Sequence, residues 1–126
     1  MTRGTKGLVC LDFDGVLNAY QGWATDMHLT REPVRGSREF VKKLIEAGYD
    51  VVIYTCREAK SVYAWLRDNN FPVITVANHK PAAQIYIDDR GYRFDGDWEA
   101  AFNAIPRNPW WGSEIWTPEL PGERDE

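Results

Sequence analysis

The chain has 126 residues, 44% of them hydrophobic and 27% charged, which suits one soluble domain with a proper apolar core. A formal charge of -4 and a pI of about 5.2 exclude an overall basic footprint for nucleic acid or an anionic membrane, while a local basic patch stays open. Its two cysteines, Cys10 and Cys56, lack paired metal-ligand spacing and read as small buried thiols of a reducing compartment, with reactivity an alternative for Cys56.

From Met1 to Gly7 there are two basic residues but no apolar stretch long enough for a secretory signal. No run approaches the ~20 apolar residues of a spanning helix. The expected location is the cytoplasm, with no membrane partner.

Leu8-Val9-Cys10-Leu11 is a continuous apolar run that stops abruptly at Asp12, the pattern of a strand covered on both faces. Residues 18–35 follow, too long for a tight turn and weakly patterned, and are expected to form an Ω-loop or small hairpin, a flap over the end of that strand. Ser37 is placed to cap a helix whose Phe40, Val41, Leu44 and Ile45 share a stripe, with Gly48 closing it. A second strand reads over Val51-Val52-Ile53-Tyr54. A second helix carries Ala59, Val62, Tyr63 and Leu66 and stops at Asn69-Asn70 before Pro72.

Val73-Ile74-Thr75-Val76 and Ile85-Tyr86-Ile87 complete four strands. A short helix starts at Asp97, with Trp98, Ala101, Phe102 and Ile105 on a single face. The tail from Pro106 holds four of the seven prolines and three of the six tryptophans. It is expected to be irregular, with Trp110, Trp111 and Trp116 folding back on a domain that spans residues 1–105.

Strands alternating with helices predict an α/β fold: a three-layer, Rossmann-like parallel sheet with helices on both faces. Ligands of such sheets bind beyond the carboxyl ends of the strands, where strand order reverses. The first strand ends at Asp12, the second at Thr55 and the fourth at Asp88, so three separate segments send polar residues to one rim.

In Asp12-Phe13-Asp14-Gly15, two carboxylates two residues apart repel unless a cation or proton separates them. Magnesium, an oxygen-seeking dication satisfied by one or two carboxylates plus phosphate and water oxygens, suits the position; an Asx turn with a solvated second acid is the plainer alternative. Asp88-Asp89-Arg90 adds a second acidic pair, more often a turn when it stands alone. Thr55, followed by Cys56, Arg57 and Glu58 at a helix start, is either a helix cap or a donor to phosphate oxygens. Lys80 is either a surface lysine or a positive charge aimed at a phosphoryl group.

Taken in chain order, these four motifs resemble the haloacid dehalogenase superfamily: Asp-x-Asp-Gly after the first strand, a hydroxyl residue after the second, a lysine, and a late acidic pair. The resemblance spans Leu8 to about Asp97. It implies that Asp12 attacks phosphorus to form an aspartyl-phosphate, and that Asp14 protonates the leaving oxygen and then activates water. Thr55, Cys56, Arg57 and Lys80 would hold the substrate. Magnesium would be held by Asp12, the backbone carbonyl of Asp14, and Asp88 or Asp89.

Asp14 favours a phosphatase, since dehalogenases of the superfamily lack the second aspartate and transport ATPases replace it with threonine. The short intervals between motifs resemble the type without a cap domain. Arg57 and Arg90 are similar to residues of polynucleotide end-healing phosphatases. The expected substrates are therefore a phosphorylated small molecule, a nucleotide or a phosphate-bearing nucleic-acid end. Two other classes stay open. A receiver-type phosphoacceptor shares the sheet but orders its acidic residues differently, and an idle relative would bind phosphate without turning it over.

Overall fold

The computed structural model describes residues 6–19 and 31–106. The middle of the expected flap, with Tyr20, Trp23, Met27 and His28, and the tail with Trp110, Trp111 and Trp116 lie outside the described residues. Contacts divide the chain into two units, one of Met1–Tyr20 and Thr30–Gly91, the other of Gln21–Leu29 and Tyr92–Glu126.

The first unit is an α/β fold. In chain order it contains β1 (Leu8–Asp12), α1 (Ser37–Glu46), β2 (Asp50–Tyr54), α2 (Ala59–Asp68), β3 (Thr75–Ala77) and β4 (Ile85–Ile87). The four strands form a parallel sheet in the order β3-β2-β1-β4. Register pairs Val9 with Val51 and Ile85, and Leu11 with Ile53 and Ile87. Paired residues of a parallel ladder share a face, so these side chains lie together. Ile85 apart, which is half exposed, they form one core with Val41 and Leu44 of α1 and Val62, Trp65 and Leu66 of α2. Two successive crossovers in the same direction place both helices on that face. Cys10 and Asp12 belong to the opposite face.

The chain then passes from β3 at one edge to β4 on the far side of β1 through residues 78–84. Three strand spacings of ~4.8 Å are within reach of seven extended residues. The reversal of direction sits between β1 and β4, where a crevice is expected.

Both helices of this unit end in the same way. Gly48, with φ +100°, donates to Ile45 O while Tyr49 N donates to Leu44 O. Asn70, with φ +61°, donates to Arg67 O while Phe71 N donates to Leu66 O. Each is a left-handed terminator that satisfies the last carbonyls.

Three local expectations are corrected. Ser37 does not cap α1: Gly36, with φ +86°, is the capping residue and Ser37 begins the helix. The Ser37 amide donates to Val34 O, and its buried Oγ has no hydrogen-bond partner among the described residues. In α2 the inward aromatic is Trp65 rather than Tyr63, which is exposed. Trp65 stacks edge-on against Phe13 at 4.9 Å between ring centroids. The third strand starts at Thr75 rather than Val73, because pairing with β2 begins at Val52↔Thr75; Val73 is 83% exposed.

In the second unit, α3 (Trp98–Ala104) starts as expected at Asp97, whose carboxylate accepts from Ala100 N at 3.0 Å. Trp98 packs on Phe94 with ring centroids 4.3 Å apart. Among the described residues, no helix is long and apolar enough to cross a membrane.

Candidate functional site

Asp12 ends β1, the strand flanked by β2 and β4, and its Oδ1 accepts from the Phe13 amide at 2.8 Å. Burial pushes its carboxyl up to about 6; the Phe13 hydrogen bond works against this, and the negative charges of Asp89, Asp14 and Asp88 add to it. A carboxylate short of solvent and crowded by three others gains from a proton or a cation.

After Asp12 the backbone winds into a compact turn. The Phe13 carbonyl accepts from Leu17 N and Asn18 N, both at 2.9 Å, and Gly15 N donates to Asn18 O. Gly15 has φ +85°, and the Asp89 carboxylate fills the space a Cβ would take there. Only glycine satisfies both the left-handed backbone and the close approach. This contact carries the late acidic pair against the first motif.

Asp14 is buried and fully engaged. Arg57 Nε donates to its Oδ1 at 3.0 Å and its Oδ2 at 2.8 Å, and Asn18 Nδ2 donates to Oδ1 at 2.9 Å. The Arg57–Asp14 ion pair is nearly closed to solvent, with 12% and 9% of the side chains exposed.

Arg57 reaches Asp14 because the segment after β2 is stapled. Thr55 N donates to Ala77 O, Arg57 N donates to Thr55 Oγ1 at 3.1 Å, and Asn78 Nδ2 donates to both Thr55 O and Arg57 O. Thr55 is buried, whereas Cys56, expected to be a buried thiol, is exposed because it falls after the end of β2, outside the sheet. Cys10, by contrast, is buried, and burial together with the Asp12 charge raises its thiol above the usual range, which leaves it protonated and inert.

At the end of β4, Asp88 Oδ1 accepts from Arg90 N at 3.2 Å and Gly91 N at 2.6 Å, so the acidic pair is also a turn. Asp89 faces Arg90 Nε at 3.7 Å. Lys80 is exposed, and its Nζ stands 4.4 Å from the Tyr86 ring centroid. Tyr86 pairs with Cys10 on the face that carries Asp12, and the lysine lies on that ring rather than on a carboxylate.

The expected residues thus fall into three groups. Asp12, Asp14, Asp89 and Arg57 converge on the turn after β1. Thr55 and Asp88 follow β2 and β4, the strands on either side of β1, and Lys80 lies in the connection from β3 to β4. Cys56 is close in sequence but open to solvent. Nothing in the sequence marks Asn18 or Asn78 as a site residue, because an isolated asparagine in a loop gives no sign of which carboxylate or carbonyl it will meet.

Among the described residues, no three His, Cys, Asp or Glu side chains form a ready cage for a metal ion. Magnesium needs less than a cage, since it keeps several waters and takes one or two carboxylates. The all-oxygen donors around Asp12, and the burial and added repulsion that raise its carboxyl, fit such an ion.

No family model matches the chain, and no curated protein matches it. A solved structure of a conserved protein from Bacteroides thetaiotaomicron is similar, with a TM-score of 0.58 at 18% identity over 79% of this chain and 88% of that one. At that identity the likeness is one of fold, and it agrees with the α/β architecture described above.

Proposed function

We propose that this protein is a magnesium-dependent phosphomonoester hydrolase that works through an aspartyl-phosphate on Asp12. The observation that carries this reading is the half-buried carboxylate of Asp12 at the carboxyl end of β1, beside the point where strand order reverses, with Asp14, Thr55 and the Asp88–Asp89 pair around it.

In the first step an Asp12 oxygen attacks phosphorus and the bond to the leaving oxygen breaks, that oxygen taking a proton from the Asp14 carboxyl. In the second, water attacks the phosphoryl group, gives its proton to the Asp14 carboxylate and releases Asp12. Thr55 Oγ1 and the amides of the stapled segment after β2 would donate to phosphoryl oxygens, with Lys80 adding positive charge. Magnesium, held by Asp12, the Asp14 carbonyl and Asp88 or Asp89, would neutralise charge on the phosphoryl oxygens. Arg57 would leave Asp14 to bind the substrate, which frees the carboxyl for proton transfer.

The short intervals between the motifs leave no room for a cap domain, so the proposed class is nucleotides or phosphate-bearing nucleic-acid ends, acted on in the cytoplasm. One observation favours a second reading, a phosphate-binding module without turnover: both Asp14 oxygens are already occupied. Phosphate release from an aryl phosphate, with and without magnesium, decides between them. The phosphatase reading expects magnesium-dependent turnover and acid-stable label on Asp12 after quenching. Binding of phosphate with no turnover at any magnesium concentration supports the module instead.

A further inference from the structure

Asn18 is entirely buried and has a hydrogen bond at each end of its amide. Its Oδ1 accepts from the Arg31 amide at 2.7 Å, and its Nδ2 donates to Asp14 Oδ1 at 2.9 Å. The Arg31 amide can only donate, so it fixes which end of the Asn18 side chain faces Asp14. The backbone holds the same point from both sides. Ala19 N donates to Glu32 O, Val34 N donates to Leu17 O, and Asn18 bridges Pro33 in an antiparallel pair. The Arg31 carbonyl in turn accepts from Trp65 Nε1 at 2.8 Å, and Trp65 is packed on Phe13.

We infer that Asn18 is the positioning residue for Asp14: a donor that holds the carboxylate in place whether or not Arg57 is on it. This rests on the phosphatase reading, in which Arg57 must release Asp14 to let it exchange a proton. With Arg57 gone, Asn18 is the remaining side chain described on that carboxylate, bonded to Oδ1 and leaving Oδ2 to face the leaving group. The chain from Trp65 through Arg31 and Asn18 thus connects the helix-covered core to the proposed acid.

The isosteric Asn18→Asp change tests this. It keeps the acceptor for Arg31 and replaces the donor by a carboxylate oxygen facing Asp14. Two measurements separate the inference from the reading beneath it. In the first, thermal unfolding, Asn18→Asp and Asp14→Asn should each lower Tm, and the double variant should lose clearly less than the two losses added, because the hydrogen bond is restored with its direction reversed. Losses that simply add overturn the contact.

In the second, kinetics, Asn18→Asp should reduce kcat/KM, which reports the step that releases the leaving group, by roughly tenfold or more on an alkyl phosphate and by less on an activated aryl phosphate. Equal losses of kcat/KM on both substrates overturn the positioning role, because a general loosening of the fold does not discriminate between leaving groups. If the wild-type chain releases no phosphate, the phosphatase reading and the positioning role fall together, while the Tm comparison still decides whether Asn18 holds Asp14.

Discussion

The strand end at Asp12 and the turn from Asp14 to Asn18 are adjacent in sequence and opposite in character. Asp12 has one amide donor and three neighbouring carboxylates, and burial lifts its carboxyl to about 6. Asp14 is more deeply buried, yet has a guanidinium and an amide on its oxygens. Two acids on one loop are thereby sorted by their partners: one underprovided with positive charge and suited to meet a cation or phosphorus, the other held until its partner is drawn away. Burial alone does not set a carboxylate's role; the donors on the surrounding elements do.

The largest expected effect comes from removing the underprovided side. Asp12→Asn should abolish magnesium-dependent phosphate release while the far-ultraviolet spectrum stays that of the wild type. More than a few per cent of residual turnover, with contamination excluded, would falsify the covalent role.

Next comes the held side. Arg57→Ala leaves the Asp14 carboxylate buried without its cation and should destabilise the protein by about 3 kcal/mol, measured by urea unfolding. Arg90→Ala, which breaks a more exposed 3.7 Å pair with Asp89, should stay within ~1 kcal/mol. Similar losses for the two would erase the contrast. The same Arg57→Ala variant should lose more kcat/KM on a nucleotide than on a small aryl phosphate, and an equal loss on both would remove the arginine from substrate recognition.

A smaller effect follows from the raised Asp12 carboxyl. Its folded value of about 6 lies above the ordinary 3.8, so between these two the folded state holds a proton that the unfolded state has released. Stability from this group therefore falls as pH rises from ~4 to ~6, by on the order of 2 kcal/mol. In metal-free buffer the wild type should lose this amount relative to Asp12→Asn over that interval. A stability difference that does not vary with pH would show that Asp12 is better solvated than its surroundings imply.

The smallest effect is the metal's. Magnesium at ten times its Kd should add ~1.4 kcal/mol by linkage, read as a rise in Tm that is lost in Asp12→Asn. The same rise in the variant would place the ion elsewhere.

The sequence carried the parallel sheet because its strands are unbroken apolar runs ending in a charge or hydroxyl, as at Leu11-Asp12 and Tyr54-Thr55. It carried the helix ends at Gly48 and Asn70 because a left-handed backbone admits few residue types. Other features depend on groups remote in sequence. Ser37 and Gly36 both suit a helix start, and the turn that joins Ser37 N to Val34 O selects the glycine. Tyr63 and Trp65 both belong to an apolar stretch, and packing on Phe13 selects the tryptophan. Within the site, Asp12 was legible from its place at a strand end. The ties of Asp14 to Arg57, 43 residues away, and to Asn18 were not, because they exist only once the turn after β1 has folded against the segment after β2.

The strand order has a consequence for behaviour at high concentration. The two five-residue strands, β1 and β2, are in the middle of the sheet, and each outer position is held by a strand of three residues. Proline stands shortly before each outer strand, at Pro72 and Pro81. An incoming chain that tried to extend the sheet would find only three residues in line at either outer strand. Short outer strands disfavour edge-to-edge association, and the longer apolar runs of β1 and β2 lie inside the sheet, away from its margins.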